Sequence, residues 1–372
     1  MLALYLSFFS FLISSCYYLI FADALANEEW LDVNGFAKII IPDTFLYLKV
    51  IDNQNILKSL LESGVKNTIG PSILWVFARG NWILAGLFNS IQLLFTLLYV
   101  SRIARTLKIE ESRSRIIQVL VALMPATIYY SVGALKEIPT MLFLTGFFYH
   151  FLKNDRIIYL LYAFMGIVFR GQVGFVIGIF FCADLIYERF KKNHLISVLY
   201  LLLFISAIYP FLQQFDAFGS ETSALFREDY TAISGVTFGA VVELIRDSIP
   251  IASIIAVLFR IFQSVFEPIL SVFLLNGLFE NGSISVIQVV YLTSFLPSIK
   301  YWFIFLKGII YIIRNPFCVD IKTVKLYAFC TAFIFPVGGF SFVHHRYLYP
   351  ITALLLIAGS IEKSKSGKFE TL

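Results

Sequence analysis

Charged side chains are scarce in this chain of 372 residues, in which Asp, Glu, Lys and Arg together make up only 14%. Hydrophobic residues reach 59%, and the mean hydropathy is +0.82. A soluble globular domain carries about 25% charged residues. The composition therefore excludes such a domain and predicts an all-α polytopic membrane protein, with the lipid bilayer as a partner and no nucleic-acid partner.

Cysteine and histidine are also rare, with four residues of each type. The cysteines (Cys16, Cys182, Cys318 and Cys330) are scattered, and no CxxC or Cys/His spacing suggests a metal site or a disulfide framework. We therefore predict no metal and no cofactor, and leave open only a weakly held divalent cation.

Ten apolar segments have the length of membrane-spanning helices, which need about 20 residues or somewhat fewer in a thinned bilayer. We expect a single transmembrane domain over residues 1–372, with a retained first helix. The stretch 250–275 is interrupted by charge and proline, so it is predicted to be interfacial or re-entrant, with a true crossing as the alternative. The ten predicted spans are 2–21, 83–101, 116–132, 138–152, 157–169, 173–187, 196–212, 284–306, 326–342 and 347–361.

The distribution of Lys and Arg predicts the orientation of these spans. More than half of the 29 basic residues fall on one side of the membrane, in 102–115, 153–156, 188–194, 307–325 and 362–368. Basic loops face the cytoplasm, so both termini are expected there. The opposite, external side receives two long and net acidic segments: 22–82, with amphipathic helices, and 213–283.

Isolated ionisable residues collect at the external boundary of the predicted spans. They come from four separate stretches and comprise Asp43, Lys136, Glu137, Arg170, His344, His345 and Arg346. Charged groups near hydrocarbon are costly and usually face a cavity or a partner. A functional site at this boundary is one interpretation of the pattern.

Structural roles are the alternative for each of these residues. Long cations such as Lys136, Arg170 and Arg346 can anchor helix ends among headgroups. Glu137 can pair with Lys136, and the two histidines can form a polar rim. Asp43 follows Pro42 and can cap a helix, and Tyr47 can share the face of that helix.

Together, these residue types suit the transfer of a phosphate-linked group. A carboxylate can accept a proton from an incoming hydroxyl as a general base. Cations stabilise the charge that develops on a departing phosphate, and the planar guanidinium of Arg matches phosphate oxygens. A substrate with a lipid tail and a sugar-phosphate head would fit such a site.

Four stretches, in order, resemble multi-spanning glycosyltransferases of the GT-C fold. PDTFLYLKV resembles their first external loop, in which an Asp is followed four residues later by Tyr. SVGALKEIPTMLFLTGFFYHFLK is similar to the helix that a Lys-acid pair opens in bacterial members. FRGQVG is similar to their Arg-containing turn, and HHRYLYPITALLLI resembles the ending before their last helix.

The resemblance implies sugar transfer from a polyprenyl-phosphate-linked donor to a cell-surface glycan or lipid acceptor, on the periplasmic face of a bacterial inner membrane. It implies that Asp43 is the catalytic base and that Tyr47 shapes the acceptor cleft. The donor phosphate would be bound by Lys136, Arg170 and Arg346, grouped with Glu137 and assisted by His344 or His345. Two departures from the family pattern are Thr44 after Asp43 and Gly171 after Arg170.

Two other functions remain open on the sequence. An O-antigen or capsule polymerase, acting on oligosaccharides linked to a polyprenyl diphosphate, has a similar length and span number. Its functional arginines would lie in 213–283, where Arg227, Arg246 and Arg260 occur. A lipid or polysaccharide transporter is the more distant alternative, since the two halves of the sequence show no repeat.

Overall fold

The computed structural model describes residues 1–20, 36–37, 69–132, 135–189, 265–266, 268–269, 279–280, 283–314, 319–340 and 348–361. These residues are mainly helical, which confirms the predicted helical class at this level. In chain order the helices are α1 (Leu2–Ile20), α2 (Ile69–Phe77), α3 (Trp82–Thr106), α4 (Glu111–Leu123), α5 (Pro125–Val132), α6 (Glu137–Lys153), α7 (Arg156–Phe169), α8 (Gly171–Arg189), α9 (Val286–Arg314), α10 (Ile321–Phe340), a 3₁₀ turn (Tyr349–Ile351) and α11 (Thr352–Ala358).

Nine of the ten predicted spans fall on described residues, and each of these nine contains helix. The predicted span 116–132 is a pair of helices, α4 and α5, that meet at an angle of 47°. The tenth predicted span, 196–212, lies outside the described residues, as does most of 250–275. In that stretch Phe266 packs against Phe295 of α9, with ring centroids 5.7 Å apart.

The described helices indicate a membrane-embedded protein. Three of them, Leu2–Ile20, Trp82–Thr106 and Gln288–Arg314, are long and apolar enough to cross a bilayer, and the α4–α5 pair makes up to four. Two further apolar helical segments are shorter: α7, with 14 residues, and Tyr349–Ala358. The number of ten spans therefore stays a prediction.

Side-chain contacts sort the helix ends into two groups. In one group, the hydroxyl of Tyr18 in α1 donates to the carbonyl of Val132 in α5, and its ring lies 5.5 Å from that of Trp82 in α3. In the other group, Arg113 of α4 donates to the carbonyl of Ser360 at 3.3 Å. We call the first group the Tyr349 end, because Tyr349 is hydrogen-bonded to Thr127 of α5. We call the second group the basic end, because it contains Arg113.

The first helix packs closely against α3 through a stripe of small residues. Its buried face includes Ser7, Ser10 and Ser14, and a Cβ added to Gly86 of α3 would lie 3.3 Å from the Cβ of Ser14. Small residues let helix backbones approach each other inside membranes. The expected first span is thus integrated into the bundle.

A small sheet is the main departure from an all-helical fold. Strands β1 (Phe36–Ala37), β2 (Phe279–Glu280) and β3 (Ser283–Ser285) pair in the order β1-β3-β2. Phe36 lies opposite Ile284 in the parallel pair, so the predicted external segment 22–82 pairs with the first residues of the predicted span 284–306, which are a strand rather than a helix. The end of the other predicted external segment, 213–283, forms β2 and pairs with the opposite edge of β3. In 22–82 the structure also describes the helix α2, and the other expected helices of that segment lie outside the described residues.

An ion pair at the basic end joins α8 to α10. The Nζ atom of Lys325 lies 2.9 Å from a carboxylate oxygen of Asp184, and both side chains are largely buried. The same Nζ lies 5.0 Å from the centroid of the Phe151 ring. Removing one partner of such a pair leaves an uncompensated charge in a site of low polarity.

Lys325→Met should therefore lower the free energy of unfolding by about 2–4 kcal/mol, somewhat less than for a fully buried pair. Unfolding of the purified protein in detergent measures this change. The double variant Lys325→Met/Asp184→Leu should recover most of the loss, because no charge is then left unpaired. Wild-type stability of Lys325→Met, or a double variant as unstable as the single one, would contradict the expected role.

Candidate functional site

Three of the eight predicted site residues lie in the described part of the chain: Lys136, Glu137 and Arg170. The proposed base, Asp43, lies outside the described residues, and so do Tyr47, His344, His345 and Arg346. The described part of the site therefore consists of Lys136, Glu137 and Arg170, together with described residues that lie near the other five in sequence.

Lys136 and Glu137 open helix α6, as the sequence predicts. Lys136 is the N-cap and is half-buried, while Glu137 is the first helical residue and has 0% of its surface exposed. The carbonyl of Lys136 accepts a hydrogen bond from the Thr140 hydroxyl at 2.6 Å. An acid in the first turn interacts favourably with the helix dipole, which helps to stabilise Glu137 in its buried position.

Arg170 occupies the turn between α7 and α8 with an extended backbone (φ −155°, ψ 102°). Its amide donates to the carbonyl of Gly166 at 2.9 Å, and its own carbonyl accepts from the amide of Val173 at 2.8 Å. The side chain is 2% exposed. The predicted Arg-containing turn is thus present, and both of its flanking helices hold the arginine in place.

Tyr349 connects the start of α6 to the last helical segment. It is buried in the 3₁₀ turn, which packs against helix α6, the helix that begins at the buried residue Glu137. Its hydroxyl shares a hydrogen bond with that of Thr127, and its ring lies 4.8 Å from that of Tyr130. The hydroxyl of Tyr130 in turn donates to that of Tyr291 at 2.9 Å. We call these five residues the Tyr349 cluster.

The Tyr349 cluster brings two predicted stretches of the site together. Glu137 belongs to the Lys-Glu pair, and Tyr349 follows Arg346 by three residues in the chain. The Arg170 turn also adjoins α6, because the ring of the preceding residue, Phe169, lies 5.1 Å from that of Phe143. Helix α6 is therefore the common support of all three described site residues.

A proline break in the α4–α5 pair positions two members of the cluster, Thr127 and Tyr130. Pro125 has no amide hydrogen and disfavours a helical conformation at the residue before it, and Met124 accordingly has a ψ of 128°. The Thr127 hydroxyl donates to the carbonyl of Val121, and the amide of Ala126 donates to the Ser294 hydroxyl of α9 at 2.8 Å. Backbone groups released by the break thus find partners inside the bundle, as a membrane interior requires.

Ser294→Ala should lower the free energy of unfolding by about 1–3 kcal/mol, because the buried amide of Ala126 would lose its acceptor. Ser298 is a matched control in the same helix. Both serines are 2% exposed, but the Ser298 hydroxyl bonds only to the carbonyl of Phe295 in its own helix. Ser298→Ala should cost a few tenths of a kcal/mol. Equal thermal unfolding of the two variants in detergent would contradict the bridging role of Ser294.

Sequence reasoning did not identify five residues at this end of the bundle: Thr127, Tyr130, Tyr291, Ser294 and Tyr349. Among the described residues no group of three His, Cys, Asp or Glu side chains could hold a metal ion. His344 and His345 lie outside the described residues.

The fold and the cluster define a membrane-embedded helical bundle with buried ionisable and hydroxyl side chains at one end. No protein-family model matches the chain, and comparisons with characterised proteins and with solved structures give no significant match. Function is therefore inferred from the residues and their geometry.

Proposed function

We propose that the protein is a membrane glycosyltransferase that uses a polyprenyl-phosphate-linked sugar. A hydroxyl of the glycan or lipid acceptor attacks the anomeric carbon, the bond from that carbon to the phosphate oxygen breaks, and polyprenyl phosphate leaves. Asp43 takes the proton of the attacking hydroxyl. Lys136, Arg170 and Arg346, assisted by His344 or His345, bind the phosphate, and Tyr47 shapes the acceptor cleft.

The observation that carries this proposal is the packing of the 3₁₀ turn that contains Tyr349 against helix α6, which begins at Glu137. This packing connects the Lys-Glu stretch with the stretch HHRYLYPITALLLI, in which Tyr349 follows Arg346 by three residues, although more than 200 residues separate Glu137 and Tyr349 in sequence. We expect Arg346 to lie at the same end of the bundle as Lys136, where cations would stabilise the charge on a departing phosphate. In the proposed topology this end faces the periplasm of a bacterial inner membrane and both termini are cytoplasmic.

The charge of Glu137 indicates how it contributes to the proposed site. A carboxylate repels a phosphate, so the buried Glu137 is best suited to positioning neighbouring groups rather than to touching the donor. The half-buried Lys136, directly before it, is the better candidate for contact with the phosphate. Glu137 is thus proposed as a positioning residue within the phosphate-binding group.

A surface-polysaccharide polymerase is the second candidate, favoured by the sheet. Strand β3 pairs on one side with Phe36–Ala37, from the segment that carries Asp43, and on the other with Phe279–Glu280, from the end of the segment that carries Arg227, Arg246 and Arg260. A polymerase would use these arginines for a diphosphate-linked oligosaccharide.

Deletion of the gene in its host, followed by analysis of the surface glycan and its lipid-linked precursors, distinguishes the candidates. A full-length polymer that lacks one sugar supports the glycosyltransferase. Single repeat units on the lipid anchor, without long chains, support the polymerase. Unchanged glycans and precursors would contradict both proposals.

A further inference from the structure

Three exposed basic residues lie at the basic end of α3, α6 and α7: Arg102, Lys153 and Arg156. Lys153 is the last residue of α6 and Arg156 the first of α7, with a tight turn between them in which Asn154 has a φ of 60°. Arg102 lies one helical turn before the end of α3. The three cations thus come from three packed helices.

Arg102 is held by aromatic rings. Its guanidinium carbon lies 5.7 Å from the ring centroid of Tyr99 and 5.8 Å from that of Tyr149 in α6. Cation–π contact fixes the position of an arginine without neutralising its charge. Since Lys153 follows Tyr149 by four residues, it projects from the same face of α6 as Tyr149.

A buried hydrogen-bonded chain fixes the helices beneath these cations. The Tyr99 hydroxyl lies 2.7 Å from that of Tyr162 in α7 and 3.1 Å from Nε2 of His150 in α6. A Cβ added to Gly146 would lie 2.6 Å from the Tyr162 ring, so α6 and α7 are in close contact here. The relative positions of the three cationic helix ends are therefore rigidly defined.

In the described part of the chain, Asp155 is the one carboxylate that lies between Lys153 and Arg156 in sequence, and it is turned towards His150, with its oxygen 3.0 Å from Nδ1. Throughout the described ranges, no carboxylate lies within ion-pairing distance of Arg102, Lys153 or Arg156. A net positive, preformed surface of this kind suits a phosphate group.

Helix α7 places an apolar surface next to these cations. Ile157 is 86% exposed, and Leu161 and Phe164 are also exposed. With 14 residues, α7 is about 21 Å long, shorter than the roughly 30 Å hydrocarbon core. A short helix draws headgroups towards its ends, which brings lipid phosphates to the level of Lys153 and Arg156.

We propose that Arg102, Lys153 and Arg156 bind the phosphate of an anionic phospholipid in the leaflet at the basic end. Its acyl chains lie along Ile157, Leu161 and Phe164, and the rings of Tyr99 and Tyr149 hold Arg102 towards the headgroup. A lipid fits better than a free phosphate ion because Ile157 follows Arg156 directly, so the exposed apolar residues of α7 begin next to a cation. The site lies at the opposite end from the Tyr349 cluster and is independent of the proposed transfer reaction.

Native mass spectrometry of the full-length protein in neutral detergent tests this site, with phosphatidylglycerol and phosphatidylcholine as probes. The wild-type protein should bind phosphatidylglycerol at least ten times more tightly than phosphatidylcholine. The triple variant Arg102→Gln/Lys153→Gln/Arg156→Gln should lose about 10- to 100-fold of that affinity, given the contribution of each basic group near an anionic headgroup. Inorganic phosphate at the same concentration should not displace the lipid.

A matched control removes the same charge elsewhere: Lys307→Gln/Arg314→Gln/Lys322→Gln, at exposed positions in α9 and α10. It should keep wild-type affinity. The proposal would be overturned if both triple variants lost the same affinity for phosphatidylglycerol, or if the Arg102/Lys153/Arg156 variant kept its affinity. Displacement of the lipid by inorganic phosphate would also overturn it. If the first triple variant does not fold, Lys153→Gln/Arg156→Gln is used in its place and should lose at least threefold.

Discussion

Asp43→Asn should lower sugar transfer by about 10²- to 10⁴-fold, which is the usual contribution of a general base. Asn has nearly the same shape and can still accept a hydrogen bond, but its amide cannot take the proton of the acceptor hydroxyl. In the deletion strain, the variant should therefore accumulate normally in the membrane and leave the glycan incomplete. Glycan composition and immunoblotting of membranes measure the two quantities.

Asp52→Asn is the control for this variant, since Asp52 lies in the same segment, 22–82, and its substitution changes the charge in the same way. It should restore the wild-type glycan. Full restoration by Asp43→Asn at a normal protein level would exclude Asp43 as the base. If neither Asp43→Asn nor Asp52→Asn restored the glycan, the segment 22–82 would need its overall negative charge rather than the one carboxylate of Asp43.

Arg170→Ala should lower transfer by about 10²- to 10³-fold, as the loss of one preorganised group at a developing negative charge does in other enzymes. Arg170→Lys should keep part of the activity, because the charge survives while the two-pronged geometry is lost. The turn holds Arg170 by backbone hydrogen bonds on both sides, so the Lys variant should keep the local backbone. Transfer rates in membranes that contain equal amounts of each protein measure the effect.

Arg79 supplies the matched control at the same end of the bundle. It is exposed, in the turn before α3, and has a φ of 52°, a conformation that Asn tolerates. Arg79→Asn should leave transfer unchanged. Equal losses in Arg79→Asn and Arg170→Ala would contradict a specific role of Arg170, and so would wild-type activity of both Arg170 variants.

Helix positions were predictable because apolar runs of spanning length are separated by short polar turns. The turns at Lys136–Glu137 and at Arg170 occur where the sequence predicts them. The bend between α4 and α5 was not predicted, although Pro125 is its visible cause. The sheet was missed because strands of two or three residues are too short to show an alternating pattern.

The burial of the site residues depends on tertiary packing, which a single sequence does not reveal. Tyr130 and Tyr291 are 161 residues apart, and Thr127 and Tyr349 are 222 apart. Hydroxyl residues are common in apolar helices, so nothing in their local sequence marks them as members of one cluster. Only the packing of α5, α6, α9 and the 3₁₀ turn brings them together.

The most direct measurement of the central proposal is sugar transfer by the purified protein in lipid nanodiscs. Polyprenyl-phosphate-linked sugars extracted from the host serve as donors, and lipid-linked glycans from the deletion strain serve as acceptors. The proposal predicts that the wild-type protein adds one sugar to the acceptor and releases polyprenyl phosphate, whereas Asp43→Asn does not. Joining of acceptor glycans into longer chains, or no transfer by a folded wild-type protein, would contradict it.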